Sequence, residues 1–367
     1  MSDQSANIVV VGGGVVGLAI AQELSRLHDD VFLLEAQPRL GLGNSTRNSG
    51  VIHAGIYYRS GSLKAFHCVE GSRLLYEFCG MHGVHHARVG KLIVAQHESE
   101  IPELERLKRQ GDENGAIGLE IIDGSRIPEI EPHIRGVAAI HSPNTGLVEP
   151  EEVVRTLARL AESNGASLLT DTPLVGARLA GERLIIQTPR EEVEARVVIN
   201  AAGLYADEVA QLFGNERYQI HPCRGEYAEV VPARSDLIRG LVYPVPSQDG
   251  HGLGVHFTRT LSGALLLGPN ARYVDRKDNF EEGLADLESF HRAAVRMLPD
   301  LQLEDLRPSY TGIRAKLHPA NGPAFADFII ESDHRTPSLI HLVGIESPGL
   351  TSCISLARQV AGMVEEI

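Results

Sequence analysis

Four cysteines are all the chain has, and Cys68, Cys79, Cys223 and Cys353 form no CxxC pair, so buried free thiols are expected rather than a zinc site. Cys68 and Cys79 fall on one face of an expected helix but about three turns apart, too far for a bridge. No apolar run approaches the roughly 18 residues of a membrane span. A glycine-rich motif opens at Gly12, which leaves no stretch for a signal peptide ahead of the first strand, and the cytoplasm is the expected compartment. No block rich in Lys and Arg stands out, and the formal charge is −14, so nonspecific binding of nucleic acid is excluded. An anionic substrate must then be drawn in by a local cationic pocket against the overall field. Internal repeats and low-complexity segments are also missing. What remains, with 43% hydrophobic and 22% charged residues in 367, is an ordinary globular composition long enough for about two domains.

The chain is organised around the stretch from Ile8 to Glu35. Ile8 to Val11 form an apolar run, Gly12-Gly13-Gly14-Val15-Val16-Gly17 makes a tight turn, and Leu18, Ala21, Leu24 and Leu27 follow at helical spacing. A second strand, Val31 to Leu34, ends on Glu35. Gly12 suits the backbone of the turn, Gly14 lacks the Cβ that would hold a diphosphate away, and Gly17 lets the helix lie close to the strand. The N–H groups that open the helix face a phosphate, and the helix dipole favours its charge. Glu35, 18 residues past Gly17, stands where a carboxylate accepts from ribose hydroxyls and repels a 2′-phosphate. That favours FAD or NAD over NADP.

After Glu35 a long segment, residues 36–61, is rich in Gly, Ser and Asn and brings Arg47, Asn48, Ser49, His53, Tyr57 and Tyr58 close together; loops of this kind are usually functional. A helix is expected from Ser62, its cap, to Cys79. From about His85 the pattern changes to a strand (Leu92 to Ala95) and a charge-laced helix (Glu98 to Glu113), before Glu151 to Asn164 makes another crossover helix. Short strands follow to Asn200, where Ala201-Ala202-Gly203 mark the carboxyl edge of a sheet or merely close packing of helix on strand. Residues 221–317 are strand-rich, with strands expected at Tyr227 to Val231, Leu253 to Phe257 and Ala264 to Gly268 and a helix at Glu281 to Leu298. Leu339 to Gly344 has the pattern of a buried strand, and Ser347 as cap with Pro348 at the first helical position opens a last helix. In a flavoenzyme the start of that helix would stabilise the reduced ring at N1 and the C2 carbonyl, which decides for FAD over a nicotinamide.

Several segments then resemble the D-amino-acid-oxidase superfamily of FAD enzymes, and within it the L-2-hydroxyglutarate dehydrogenases. They are Asn48-Ser49-Gly50-Val51-Ile52-His53-Ala54-Gly55-Ile56-Tyr57-Tyr58, Ser62 to Ala65, Arg224-Gly225-Glu226-Tyr227, Gly254 to Thr258, Leu267 to Ala271 and Gly312-Ile313-Arg314-Ala315. The chain departs where those dehydrogenases read Asn-Ala-Pro-Ser-Pro-Ala-Ala-Thr, having Gly344-Ile345-Glu346-Ser347-Pro348-Gly349-Leu350-Thr351 instead. It also has Lys316 in place of glutamine and a different segment, Arg272 to Lys277, after Ala271. FAD dependence does not turn on these positions; the identity of the substrate does.

The resemblance implies an α/β protein: a Rossmann-like FAD-binding domain (residues 1–84, 145–219 and 318–367) interleaved with a substrate domain on a mixed or antiparallel sheet (85–144 and 220–317). It implies that a 2-hydroxy acid is oxidised, hydride passing from the α-carbon to flavin N5 while a base takes the hydroxyl proton. His53 is the first choice as base, since an unperturbed imidazole is about half neutral near pH 6.5. His256 competes, placed by strand alternation on the face opposite Leu253, Val255 and Phe257. Arg314 suits the carboxylate, with Lys64, Arg224, Tyr57, Tyr243 and Lys316 as secondary candidates. For the cofactor, the glycine turn with Val15 and Val16 is joined by Glu35 and Ala36. Arg47, Asn48, Ser49 and Gly50, then Ala201, Ala202 and Gly203, then Arg314, and finally Pro348, Gly349, Leu350 and Thr351 complete the set. The electron acceptor is left open between a quinone and O₂, and the sequence is silent on contact with a membrane surface and on the number of subunits. An amino-acid or amine oxidase on the same scaffold, and a flavin-binding protein without turnover, are the competing readings.

Overall fold

The computed structural model describes residues 5–180, 183–246, 254–323 and 325–367. Its first sheet is built on Ser5–Val11, which runs parallel to Glu192–Asn200 on one side and to Val31–Leu34 on the other. Ser167–Leu169 extends it in parallel beyond Val31–Leu34, and Leu339–Val343 pairs in parallel with Val198 to Asn200. Ile8 to Val11 are all buried because helices cover one face while on the other Val9 and Val11 pack with Leu184, Ile186, Val209 and Phe213, which is why this strand reads as a continuous apolar run. The helices Val15–Leu24, Leu63–His82, Pro150–Ser163 and Gly349–Glu365 pack together there, closing on Leu18, Leu75, Leu157 and Val360.

A second sheet collects strands from residues 91–142 and 221–316. Its order is Arg272–Tyr273, His221–Val230, Leu265–Leu267, Phe257–Arg259, Leu241–Pro244, Lys91–Ala95, Ala138–Ser142 and Glu120–Asp123. Only Lys91–Ala95 and Leu241–Pro244 pair in parallel; the rest are antiparallel. Leu306–Lys316 lies antiparallel to His221–Val230 and carries Arg314 beside Cys223. A small three-stranded sheet (Val51–Ile52, Gly146–Val148, His86–Ala87) joins the two parts. Among the described residues no helix is long and apolar enough to cross a membrane.

Three local expectations change. The helix expected at Glu281 to Leu298 forms only over Leu287–Ala294, started by Asp286 accepting from Ser289 N–H, because residues 279–283 are held as a loop by Arg224. His256 is not on a strand: the strand begins at Phe257, and Leu253 lies outside the described residues. Ser347 does not cap the last helix, which starts at Gly349 after Pro348, and its hydroxyl is engaged elsewhere.

Candidate active site

The glycine turn has the close contacts its residues permit. Gly12 has φ +112°, and a Cβ there would lie 2.5 Å from the Ala201 carbonyl oxygen; a Cβ on Gly17 would collide with the Gly12 carbonyl. The strand, the helix start and Ala201 thus converge without side chains between them. Glu35 is locked at the end of its strand: Gly13 N–H donates to Oε2 at 2.6 Å and Gln37 N–H to Oε1 at 2.7 Å. Val15 N–H donates to Ser45 Oγ at 2.8 Å, which fastens the following loop to the helix start.

That loop is then tied to the second sheet. Ile313 N–H donates to Asn44 Oδ1 at 2.8 Å, and the Asn44 amide returns a bond to the Ile313 carbonyl. Asn48 donates to the carbonyls of Asn44 and Ser45 and accepts from Gly50 N–H, so it shapes the loop. The Arg47 guanidinium lies 4.5 Å from the Phe280 ring centre. From the other side, Thr351 at the start of the last helix accepts from His53 N–H at 3.1 Å and donates to the Val51 carbonyl at 3.2 Å. The His53 backbone is therefore fixed by the element expected to meet the flavin.

Between these parts runs one continuous cavity of about 1470 Å³, against roughly 300–1,000 Å³ for a single small-ligand site. It passes from Glu35 and Ala36, over Gly12, Gly14, Val15 and Val16, past Ala201 to Gly203 and Arg47 to Ser49, to Pro348 through Thr351. It continues to His53, Tyr57, Lys64, Tyr243, His256, Arg314 and Lys316. The first part is lined by backbone at the glycine turn, where a Cβ at Gly14 would lie 3.0 Å from Ser45 Oγ. Gly17 and Gly50 do not line the cavity and act by backbone approach.

At the second end His53 and His256 meet a wall of aromatic rings. His256 stacks on Tyr243 with ring centres 3.7 Å apart, and its Nδ1–H donates to the Gly254 carbonyl at 2.8 Å. Tyr243 in turn stacks near Tyr57, whose hydroxyl is buried without a partner among the described residues. His53 Nε2 lies 3.4 Å from Ser347 Oγ, on the open side, and Ser347 Oγ is 3.5 Å from Tyr58 OH. Burial above all, then the charge of Lys91, moves the His53 pKa down to about 3, and burial does the same for His256. Neither ring is half protonated near pH 6.5, as the sequence alone suggests; both are neutral throughout the physiological range.

The cations divide into two groups. Arg314 has no ion-pair partner among the described residues; one Nη donates to the Asn270 carbonyl at 3.0 Å, and the missing Cβ of Gly225 leaves room for the guanidinium. Arg224 is a correction: only 1% exposed, it spends its donors on Glu226 at 2.7 Å, Asn279 and the carbonyls of Glu282 and Gly283, and it stands outside the cavity. Lys64 and Lys316 both pair with Glu346, at 2.9 and 3.0 Å.

Lys91, which sequence reasoning missed, is 2% exposed and lies 4.5 Å and 4.7 Å from the ring centres of Tyr57 and Tyr243. Its one signal in the sequence is a lysine heading the otherwise apolar run Leu92 to Ala95. No carboxylate of the described residues pairs with it, and burial lowers its pKa to about 7. The unfolded chain holds that proton up to about pH 10.5. Between these values the unfolded state binds more protons, so stability rises with pH, and below 7 the cost of the buried charge is fully present. Lys91→Met is expected to stabilise the protein at pH 6 by on the order of 3 kcal/mol after the lost cation–π contacts, with the gain shrinking towards pH 10. Thermal unfolding across that range checks it; a gain independent of pH would contradict it.

Among the described residues no group of three or more His, Cys, Asp or Glu side chains is placed to hold a metal. Comparison with known proteins agrees with the cavity. Residues 7–363 match the family described as FAD dependent oxidoreductase. The chain is 33% identical to the mitochondrial L-2-hydroxyglutarate dehydrogenase of Homo sapiens, covering 100% of this chain and 90% of that protein. With its Arabidopsis thaliana counterpart the identity is 35%, over 98% and 84% of the two. The solved structure of dithionite-reduced L-alpha-glycerophosphate oxidase from Mycoplasma pneumoniae with FAD bound superposes with a TM-score of 0.91 at 28% identity, over 99% of this chain and 95% of that one. One long cavity thus runs from the glycine turn to the start of the last helix, and the chain belongs to the family of FAD-dependent oxidoreductases.

Proposed function

We propose that the chain oxidises the α-carbon of a small 2-hydroxy acid to the 2-oxo acid. One observation carries this: an unpaired guanidinium, Arg314, and a neutral imidazole, His53, line the same end of one cavity, beyond the part that suits the cofactor. When bound, FAD supplies the hydride acceptor at N5. Arg314 holds the α-carboxylate in a planar two-point contact and so fixes which carbon faces the ring. His53 accepts the hydroxyl proton at Nε2, the nitrogen on the open side beside Ser347 Oγ. The aromatic wall of Tyr57, Tyr243 and His256 keeps water from the α-carbon, and Ser347 steadies the imidazole. In this reading residues 1–84, 145–219 and 318–367 hold the cofactor, while 85–144 and 220–317 supply the substrate wall. Four buried free thiols suit a reducing compartment such as the cytoplasm.

The names of the dehydrogenase relatives support a CH–OH donor, and the neutral histidines suit a proton taken from a hydroxyl. Turnover with an artificial electron acceptor, followed by product analysis, tests the proposal. A 2-oxo acid formed from a 2-hydroxy acid without ammonia is expected; ammonia released from an amino acid, with hydroxy acids inert, would overturn it in favour of an amine donor.

A further inference from the structure

Two of the positions at which the chain departs from the dehydrogenase pattern, Lys316 for glutamine and Glu346 for proline, are 30 residues apart and bonded to each other. Lys316 Nζ lies 3.0 Å from each carboxylate oxygen of Glu346. Lys64, from the start of the Leu63–His82 helix, reaches Oε1 of the same carboxylate at 2.9 Å. Burial pushes the Glu346 pKa up, but the two ammonium groups outweigh it and bring it down to about 2, so the carboxylate is ionised. The trio therefore carries one surplus positive charge.

That surplus sits on the cavity wall, which all three residues line. The Lys64 side chain is 7% exposed and is hemmed in by the rings of Phe325 and Phe328, whose centres are 5.8 and 5.4 Å from Nζ. Asp327 accepts from the backbone N–H groups of Leu63, Lys64 and Phe328. Lys316 is the open member, 21% exposed, and an ammonium has three donors, of which Glu346 takes two. It also follows Arg314 by two residues on one strand, which places the two side chains on the same face with Cα atoms about 7 Å apart. A half-buried ammonium that shares its counter-charge with a second lysine is better solvated by an anionic ligand than by the little water that reaches it.

We propose that Lys316 is a specificity-determining residue of the cavity: held in place by Glu346, it receives a second anionic group, carboxylate or phosphate, of a substrate whose α-carboxylate rests on Arg314. The proposal rests on the reading that Arg314 takes the α-carboxylate. Lys64 keeps the Glu346 charge balanced, so a neutral residue at 316 leaves a complete Lys64–Glu346 pair and an intact wall.

The test uses unreactive probes on the FAD-loaded protein, followed through their perturbation of the flavin's visible spectrum. Lys316→Gln is expected to weaken binding of glutarate by about 10- to 100-fold and to change binding of butyrate, which has one carboxylate, by less than about twofold. 3-Phosphonopropionate as a third probe tells a phosphate-type group from a carboxylate, and selective loss with either dianion supports the subsite. Lys316→Arg, which keeps the charge, is expected to recover most of the loss. If glutarate and butyrate weaken together, or neither changes, Lys316 has no such role. The outcome does not depend on turnover: were every 2-hydroxy acid to leave the flavin oxidised, the proposed reaction would fall while these affinities still decided the subsite.

Discussion

Replacing His53 with asparagine is expected to slow anaerobic reduction of the bound flavin by a 2-hydroxy acid by about 10²- to 10⁴-fold, with little change in substrate affinity. Three features make this the largest effect. Nε2 is on the open side of the cavity, while Nδ1 is buried without a partner among the described residues, so only one nitrogen can meet the substrate. The Thr351 and Cys68 contacts hold the backbone of His53, so a base there arrives already oriented. Burial keeps the ring neutral and free to accept down to about pH 3, while the same burial lowers its basicity, so the proton transfer must be driven by the hydride leaving the α-carbon. The same reasoning sets the pH profile: no inflection near 6.5 should arise from His53, and one near 7 would belong to Lys91 and disappear in Lys91→Met. Single-turnover mixing measures all of this. A His53 variant that reduces its flavin at the parental rate would transfer the role of base to His256, whose Nδ1–H is tied to Gly254 and whose Nε2 is then an acceptor.

Arg314→Ala should raise the KM for a 2-hydroxy acid by about 10²-fold, because a two-point contact between guanidinium and carboxylate is lost in a partly dry cavity. A neutral analogue such as the corresponding amide should be nearly unaffected. The contrast is what identifies the role, since Arg314 also donates to the Asn270 carbonyl and its loss could loosen that loop. Equal effects on both compounds would mean a structural residue. Gly225→Ala offers a gentler form of the same test: its Cβ would stand 2.9 Å from Pro269 Cβ and 3.0 and 3.1 Å from the two Nη atoms of Arg314, displacing the guanidinium without removing it. Its KM should rise less than that of Arg314→Ala and in the same direction for the carboxylate alone.

The cofactor half of the site was legible in the sequence because its requirements are local. Gly17 and Glu35 follow from a close helix and a strand end within 35 residues of chain, and Gly12 from a backbone turn, although the carbonyl it makes room for belongs to the distant Ala201. The substrate half was less so. His53 and Arg314 came from resemblance, and Arg224 was misplaced because nothing nearby in the chain reveals that Asn279, Glu282 and Gly283 consume its donors. Ser347 illustrates how a local rule can be overridden: a serine before Pro-Gly reads as a cap, yet its hydroxyl is turned to His53 and Tyr58, and the helix starts at Gly349, after Pro348, without a side-chain cap. Lys91 and Glu346 depend on partners 30 to 282 residues away, so their burial and pairing are properties of the folded chain.

Anaerobic titration of the purified protein with L- and D-2-hydroxy acids and with amino acids, monitoring the flavin's visible absorbance, tests the central claim most directly. A 2-hydroxy acid, the L isomer foremost, should bleach the flavin while the amino acids leave it oxidised. Bleaching by an amino acid with every hydroxy acid silent would contradict the account.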